Sequence, residues 1–284
     1  MDKCGKISIG TAQFGMSYGM LNKYGQVSDS EALKILSVAQ LNGIHSIDTS
    51  GDYGNSEKIL GQIFAANPTL LFDIYTKNAT SDITSSFHTS LNHFKTIKGY
   101  FVHYFKSYKQ NPSIWEHMQE LRNSGKVKRI GFSLYDPEEL EFLLDKDVDF
   151  NLIQFPFNVF DRRFMPYFEI LEGKGVQIQI RSIFLQGILF KDVSTLPEKL
   201  KPFGKYIESL QVYCRESNVE IEDLLLNYAL SIPQISNVVL GVHTAKQLQS
   251  NINAVRNFIT QHEIDFIESI HIKEQELLNP ANWK

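Results

Sequence analysis

Short runs of apolar and β-branched residues alternate along the chain with longer segments whose apolar positions return every three or four residues. The short runs are Lys6–Gly10, Ile44–Asp48, Phe72–Lys77, Tyr100–His103, Arg129–Ser133, Leu152–Gln154, Val176–Arg181 and Asn237–Leu240. Their length and β-branched content predict strands. Between them, Ser30–Leu41, Ser56–Phe64, Ser85–Phe94, Pro112–Ser124, Pro137–Leu144, Met165–Leu171, Phe203–Ser217 and Ala245–Phe258 carry the helical period. In the first of these, Ala32, Ile35, Leu36 and Ala39 form one apolar stripe. Pro112 and Pro137 stand where a helix needs no amide hydrogen. Gly43, Gly125 and Gly175 stand where a left-handed C-cap is expected.

Eight strand–helix units in this order predict a (β/α)8 TIM barrel, with residues 1–284 as one domain. A doubly wound sheet is the competitor. Against it, the segment after the first strand, Gly10-Thr11-Ala12-Gln13-Phe14-Gly15, lacks the Gly-x-Gly-x-x-Gly spacing. Ser182–Pro202 is expected as a long loop after strand seven, Ile221–Leu230 as an added helix before strand eight, and Ile264–Glu276 as a closing helix. Binding is usually built on long loops at the C-terminal face of such a barrel.

The chain has 284 residues, of which 43 % are hydrophobic, enough to bury a core and exclude intrinsic disorder. Its formal net charge of −4 offers no broad positive field for a phosphate backbone, so nucleic acid is not an expected partner. Cys4 and Cys214, far apart, form neither a disulfide framework nor a thiolate metal site. No apolar leader and no membrane-length apolar run are visible, so a cytoplasmic, membrane-free setting is expected.

In a barrel the C-terminal strand ends converge on one mouth. Asp48, Lys77 and His103 end strands two, three and four, and Tyr53 follows Asp48 in a loop containing Gly51 and Gly54. Taken singly, each has a bland reading as a turn, solvated or packing residue. Together they suggest proton transfer. An ammonium beside a phenol favours the phenolate and is expected to lower the phenol's ordinary value near ~10. Tyr53 then becomes a general acid or base, and His103 a group that orients a carbonyl oxygen. No nucleophile with an adjacent base and no metal cage accompanies them, which suits protonation of a carbonyl reduced by an external hydride.

Asp48-Thr49-Ser50-Gly51-Asp52-Tyr53-Gly54-Asn55-Ser56-Glu57 resembles the aldo-keto reductase signature D-T-A-x-x-Y-G-x-S-E, departing at Ser50. Further segments are similar to that family in the same order: Thr76-Lys77, Val102-His103, Gly125 through Ser133, Gln154 with Phe157-Asn158, and Gly241 through Asn251. The resemblance implies a metal-free carbonyl reductase using NADPH, with NADH also open, and a small-molecule aldehyde or ketone, sugar-like in the bacterial branch that the early segment Gly10 through Gly19 resembles. It implies Tyr53 as proton donor, Asp48 and Lys77 as its tuning pair and His103 as the residue orienting the carbonyl.

For the cofactor the resemblance implies Gly10, Thr11 and Asp48, with Ser133 and Gln154 on the nicotinamide carboxamide, although Leu134 replaces the family's Asn. Ile180-Arg181-Ser182-Ile183-Phe184-Leu185-Gln186-Gly187 resembles a bacterial R-S-x-F-L-Q-G version, placing Arg181 against the ring or an anionic substrate. Ser182, Phe184, Gln186 and Gly187 then belong to a pyrophosphate loop. Gly241, His243, Gln247 and Asn251 are left for the adenosine, with His243 where an arginine is common and Lys246 as a substitute cation. Phe14, Tyr18, Tyr53, His103 and Tyr104, with Phe105 and Phe160, are candidates for the substrate walls. Two other readings stand beside this one: a cofactor-binding sensor or partner subunit, and a lyase or isomerase using Lys77 as a Schiff-base amine.

Overall fold

The computed structural model describes residues 3–19, 22, 24–80, 82–256 and 258–283. Eight parallel strands close into a barrel in sequence order. They are β1 (Ile7–Gly10), β2 (Ser46–Asp48), β3 (Asp73–Asn78), β4 (Ile97–Val102), β5 (Val127–Ser133), β6 (Leu152–Pro156), β7 (Gln177–Arg181) and β8 (Ile235–Gly241). The seam is closed by β1 on β8, with Ile7 opposite Val238 and Gly10 opposite Gly241. The fold is therefore the (β/α)8 TIM barrel that the alternating pattern implies.

Local chemistry explains where elements begin and end. The first long helix spans Asp29–Leu41 because Ser28 accepts the Glu31 N–H as an N-cap. The helix Pro137–Asp145 starts in a capping box formed by Asp136 and Glu139. Thr260 and Glu263 make a second box, so the last helix is Gln261–Ser269 and not Ile264–Glu276. The helix after β8 ends at Asn253, short of the expected Phe258. Met165–Leu171 divides into a 3-10 turn, Met165–Tyr167, and a helix, Phe168–Gly173. The segment 182–202 is a chain of 3-10 turns after the first few residues. Ile221–Ser231 is the added helix before β8.

The main core lies between barrel and helices, while Tyr75, Phe101 and Leu152 form a separate apolar plug inside the barrel. The rest of the barrel lumen is polar. The Gln177 amide donates to the Tyr75 hydroxyl (3.1 Å) and to Asn237 Oδ1 (2.8 Å). Gln179 donates to the same Asn237 oxygen (3.4 Å). Gln154 donates to Gln179 Oε1 (3.4 Å) and to Asp48 Oδ1 (2.7 Å). These side chains run from the floor of the barrel to its catalytic end, and their mutual bonds offset the cost of burying amides.

Candidate active site

The C-terminal mouth holds a cavity of about 300 Å³. Asp48 ends β2 and Lys77 lies one residue before the end of β3. Their side chains meet below the cavity, with Lys77 Nζ 2.8 Å from Asp48 Oδ1 and 2.7 Å from Oδ2. Lys77 Nζ also donates to the Thr49 carbonyl at 3.1 Å. An ammonium has three hydrogens, and all three are engaged here. Burial pulls Lys77 below its ordinary value, with the Asp48 carboxylate opposing.

The loop carrying Tyr53 is held by backbone bonds that extend the β2–β3 pairing. Thr49 N–H donates to the Tyr75 carbonyl (2.9 Å) and Gly51 N–H to the Lys77 carbonyl (3.1 Å). The loop also packs against Gly15, where an added Cβ would lie 1.7 Å from the Tyr53 carbonyl oxygen. Only glycine permits that approach. Facing it, Gly54 adopts φ +56, and a Cβ there would lie 2.4 Å from the Gly15 carbonyl oxygen. The half-buried Tyr53 ring then sits with Lys77 Nζ 5.0 Å from its centroid and meets the His103 ring edge-on at 5.9 Å.

The expectation of an acidic phenol is not met. Burial first, and then the Asp48 charge, push Tyr53 well above its ordinary value. The physical reason is that Lys77 comes paired: its charge is neutralised by Asp48 and its hydrogens are committed elsewhere. In this state Tyr53 keeps its proton at neutral pH.

His103 follows β4, with its N–H on the Asn78 carbonyl at 3.1 Å. Its Nδ1 lies 2.7 Å from Asp52 Oδ2 and 3.3 Å from Ser50 Oγ. Tyr104 stacks on the ring at 4.5 Å. Burial holds His103 below its ordinary value despite the Asp52 hydrogen bond.

Asp48, Tyr53, Lys77, His103 and Tyr18 all line the cavity, together with Gly10, Thr11, Arg181, Ser182, Phe184, Gln186, Gly187, Gly241, His243 and Gln247. Ser133, Gln154, Asn251, Phe14 and Tyr104 do not. Ser133 and Gln154 are buried, and Gln154 is spent on Asp48. Asn251 lies one helical turn beyond Gln247, with its Nδ2 buried and unpartnered. Phe14, Phe105 and Phe160 belong to the core and form no substrate wall. Tyr104 is 46 % exposed and reaches the site only through its stack on His103.

Several wall residues were not anticipated. Arg181 lies 4.1 Å over the Tyr135 ring and donates to the Leu134 carbonyl at 3.0 Å. Tyr135, two residues beyond β5, was legible as a strand-end aromatic. Gln13, Asn22, Tyr24 and Phe190 complete the far end of the cavity. Asp52, in the variable part of the signature, gave no sequence signal as the partner of His103.

A dinucleotide fits this wall. Ser182, Leu185, Gln186 and Gly187 all have positive φ, and the Leu185 and Gly187 N–H groups close turns on the Ser182 (2.9 Å) and Phe184 (2.7 Å) carbonyls. Beyond them, Gln13 Oε1 and His243 Nε2 are buried without partners. Such orphaned groups are costly unless a ligand meets them.

A family model, described as the aldo/keto reductase family, matches residues 6–272. The chain belongs to the aldo/keto reductase family. Its members are oxidoreductases of carbonyl groups that use nicotinamide cofactors. The chain is 25 % identical over 275 residues to L-galactose dehydrogenase of Arabidopsis thaliana, covering 88 % of this chain and 85 % of that protein. Its fold is similar to the holo form of an aldo-keto reductase from Bacillus halodurans (TM-score 0.74, 19 % identity, 95 % and 94 % of the two chains). It is also similar to a glycerol dehydrogenase from Gluconobacter oxydans (TM-score 0.73, 18 % identity, 93 % and 90 %). Among the described residues of this aldo/keto reductase, no helix is long and apolar enough to cross a membrane.

Proposed function

We propose that this aldo/keto reductase reduces the carbonyl of a small polar aldehyde or ketone, with Tyr53 as proton donor. The observation that carries this reading is the meeting of Tyr53, Lys77, Asp48 and His103 on one cavity whose wall continues through Arg181–Gly187 to Gly241, His243 and Gln247. A reduced nicotinamide, held against Arg181 and the turns at 182–187, would supply the hydride to the carbonyl carbon. Tyr53 gives its proton to the oxygen, and its high pKa keeps that proton available at neutral pH. Arg181 is the cation that favours the negative charge left on the phenol, while Lys77, 5.0 Å from the ring centroid, is already paired with Asp48. His103 positions the substrate, and the Arg181–Tyr135 stack closes one side. The likeness to L-galactose dehydrogenase supports a hydroxylated, sugar-like substrate.

NADH fits the adenosine end better than NADPH does. A 2′-phosphate needs a cation, and the wall there offers Gln13, Asn22, Tyr24, His243 and Gln247. Burial holds His243 below its ordinary value, hence neutral. Lys246 is exposed and off the wall. The Ala245 N–H, at the start of the helix after β8, is taken by Glu31 Oε1 at 2.8 Å, which adds negative charge there. That carboxylate is bridged in turn to exposed Lys34.

The test is oxidation of NADH and of NADPH with a panel of aldehydes and ketoses, with Tyr53→Phe as control. Turnover that disappears in Tyr53→Phe is expected. Cofactor binding without turnover of any carbonyl would overturn the reading.

A further inference from the structure

The opposite end of the barrel holds a second cavity, of about 370 Å³, which shares no lining residue with the first. The starts of the strands line it: Ser46 on β2, Asp73 on β3, Lys98 on β4, Lys128 and Arg129 on β5, and Asn237 on β8. Three of these side chains are cations, and Asp73 is the one carboxylate on the described wall. Asp73 is bridged to Lys98 and cancels that charge. Two positive charges therefore remain at one opening of a chain whose formal net charge is −4.

The hydrogen-bond donors here are left over. Among the described residues no carboxylate pairs with Lys128 or Arg129, and Arg129 spends only Nη1, on the Asn151 carbonyl at 3.1 Å. Asn237 is 7 % exposed, and its Oδ1 already receives Gln177 (2.8 Å) and Gln179 (3.4 Å). Its Nδ2 finds no acceptor among the described residues, and the side chain opens on the cavity. Ser46, also buried, receives the Ser8 hydroxyl at 3.0 Å and keeps its own hydrogen for the same space. Buried donors without acceptors are costly unless a ligand supplies one.

A donor-lined opening with two positive charges selects an anion. A phosphate group matches it on both grounds, with about −1.5 to −2 charges at neutral pH and three strong acceptor oxygens. A carboxylate brings one charge and two oxygens, and leaves a cation unmet. We propose that the N-terminal opening of the barrel is a second binding site, for a phosphate group, with Lys128 and Arg129 as its cations and Asn237 and Ser46 as the neutral donors beneath it. The ligand is free phosphate or the phosphoryl end of a small metabolite. The open edge of the Arg129 fork takes phosphate oxygens, and the Asn237 amide donates from inside the barrel. The site lies at the far end of the barrel from Tyr53, so its ligand is neither the carbonyl substrate nor the cofactor.

Calorimetric titration with inorganic phosphate and with glycerol 3-phosphate tests it, at constant ionic strength and both with and without NADH. Saturable binding of at least one probe is expected, with the same Kd whether or not NADH is present. Tighter binding of glycerol 3-phosphate marks a phosphoryl metabolite as the ligand, and tighter binding of inorganic phosphate marks the free ion. Lys128 is exposed, so Lys128→Gln should fold normally and weaken binding roughly tenfold. Arg129→Gln, which can still donate to the Asn151 carbonyl, should weaken it by at least as much. Asn237→Asp keeps an acceptor for Gln177 and Gln179 but puts a carboxylate where the donor was, and should abolish binding. The assignment is overturned if neither probe binds, if NADH displaces them, or if Lys128→Gln and Arg129→Gln bind as the native protein does.

Discussion

Replacing Lys77 by Met removes an ammonium from a place that water does not reach, since Lys77 is 1 % exposed. Met has a similar unbranched stem, so little cavity is created. What remains is a buried carboxylate. Asp48 Oδ1 keeps its bond from Gln154 at 2.7 Å, while Oδ2 and the Thr49 carbonyl lose theirs. Breaking a buried pair on one side costs about 3–5 kcal/mol. At about 2 °C per kcal/mol for a chain of this size, Tm should fall by roughly 6–10 °C. Removing Asp48 as well, in Lys77→Met/Asp48→Leu, takes the stranded charge away and leaves the Gln154 amide short of an acceptor and the Thr49 carbonyl short of a donor, a loss of about 2 kcal/mol. The double variant should therefore be more stable than Lys77→Met by about 1–3 kcal/mol, and its loss should fall well short of the sum of those of Lys77→Met and Asp48→Leu. Urea unfolding of the four proteins measures it. A Lys77→Met protein that unfolds with the native one, or losses that simply add, would refute the argument that this pair is a buried unit.

Tyr53→Phe should lower turnover by about 10²–10⁴ while leaving the cofactor's Kd unchanged. Because burial raises Tyr53 well above 10, kcat/KM for reduction should show no loss of the proton donor between pH 7 and 9.5, about the span accessible before lysines titrate; a falling limb near pH 8 contradicts this. His103 is lowered in the folded state, so on acidification the unfolded chain takes its proton first, near its ordinary value. Stability should thus fall as pH drops from that value through the folded one, and unfolding at pH 7 and pH 5 should show a smaller difference in His103→Gln, pH values chosen to bracket about 6.5. Gly15→Ala forces a Cβ to within 1.7 Å of the Tyr53 carbonyl and should cost both turnover and stability, read by kinetics and melting. Glu31→Gln removes a charge from the helix start at Ala245 and should tighten NADPH relative to NADH by roughly three- to tenfold in direct binding; an unchanged ratio places the 2′-phosphate elsewhere.

The barrel was legible because its strands are short β-branched runs and its helices carry one apolar stripe each. The misplaced boundaries have local causes. The helix expected at Ile264 begins at Gln261 because the Thr260–Glu263 box outranks the apolar pattern. The turns Ala12–Gly15 and Phe105–Gln110 are too short to show a period. Strand ends carried the site, since Asp48 and Lys77 need only their positions at the ends of β2 and β3, and His103 its place directly after β4. Polarity was not legible. Whether Lys77 meets Tyr53 or Asp48, and that Asp52 meets His103, depend on distances across strands that sequence order does not encode. Phe14 failed as a substrate wall for the same reason: its turn aims it into the core.

The lumen amides have a consequence for how this barrel can change. Each of Gln154, Gln177, Gln179 and Asn237 is tied to another, and the last link is the carboxylate that holds Lys77. A leucine introduced at any one of them strands its neighbour's donor or acceptor, and the mismatch is handed on toward the reacting end. Drift in this lining must therefore come as matched pairs of substitutions, and an engineer seeking a sturdier barrel should rewrite the whole row together or leave it alone.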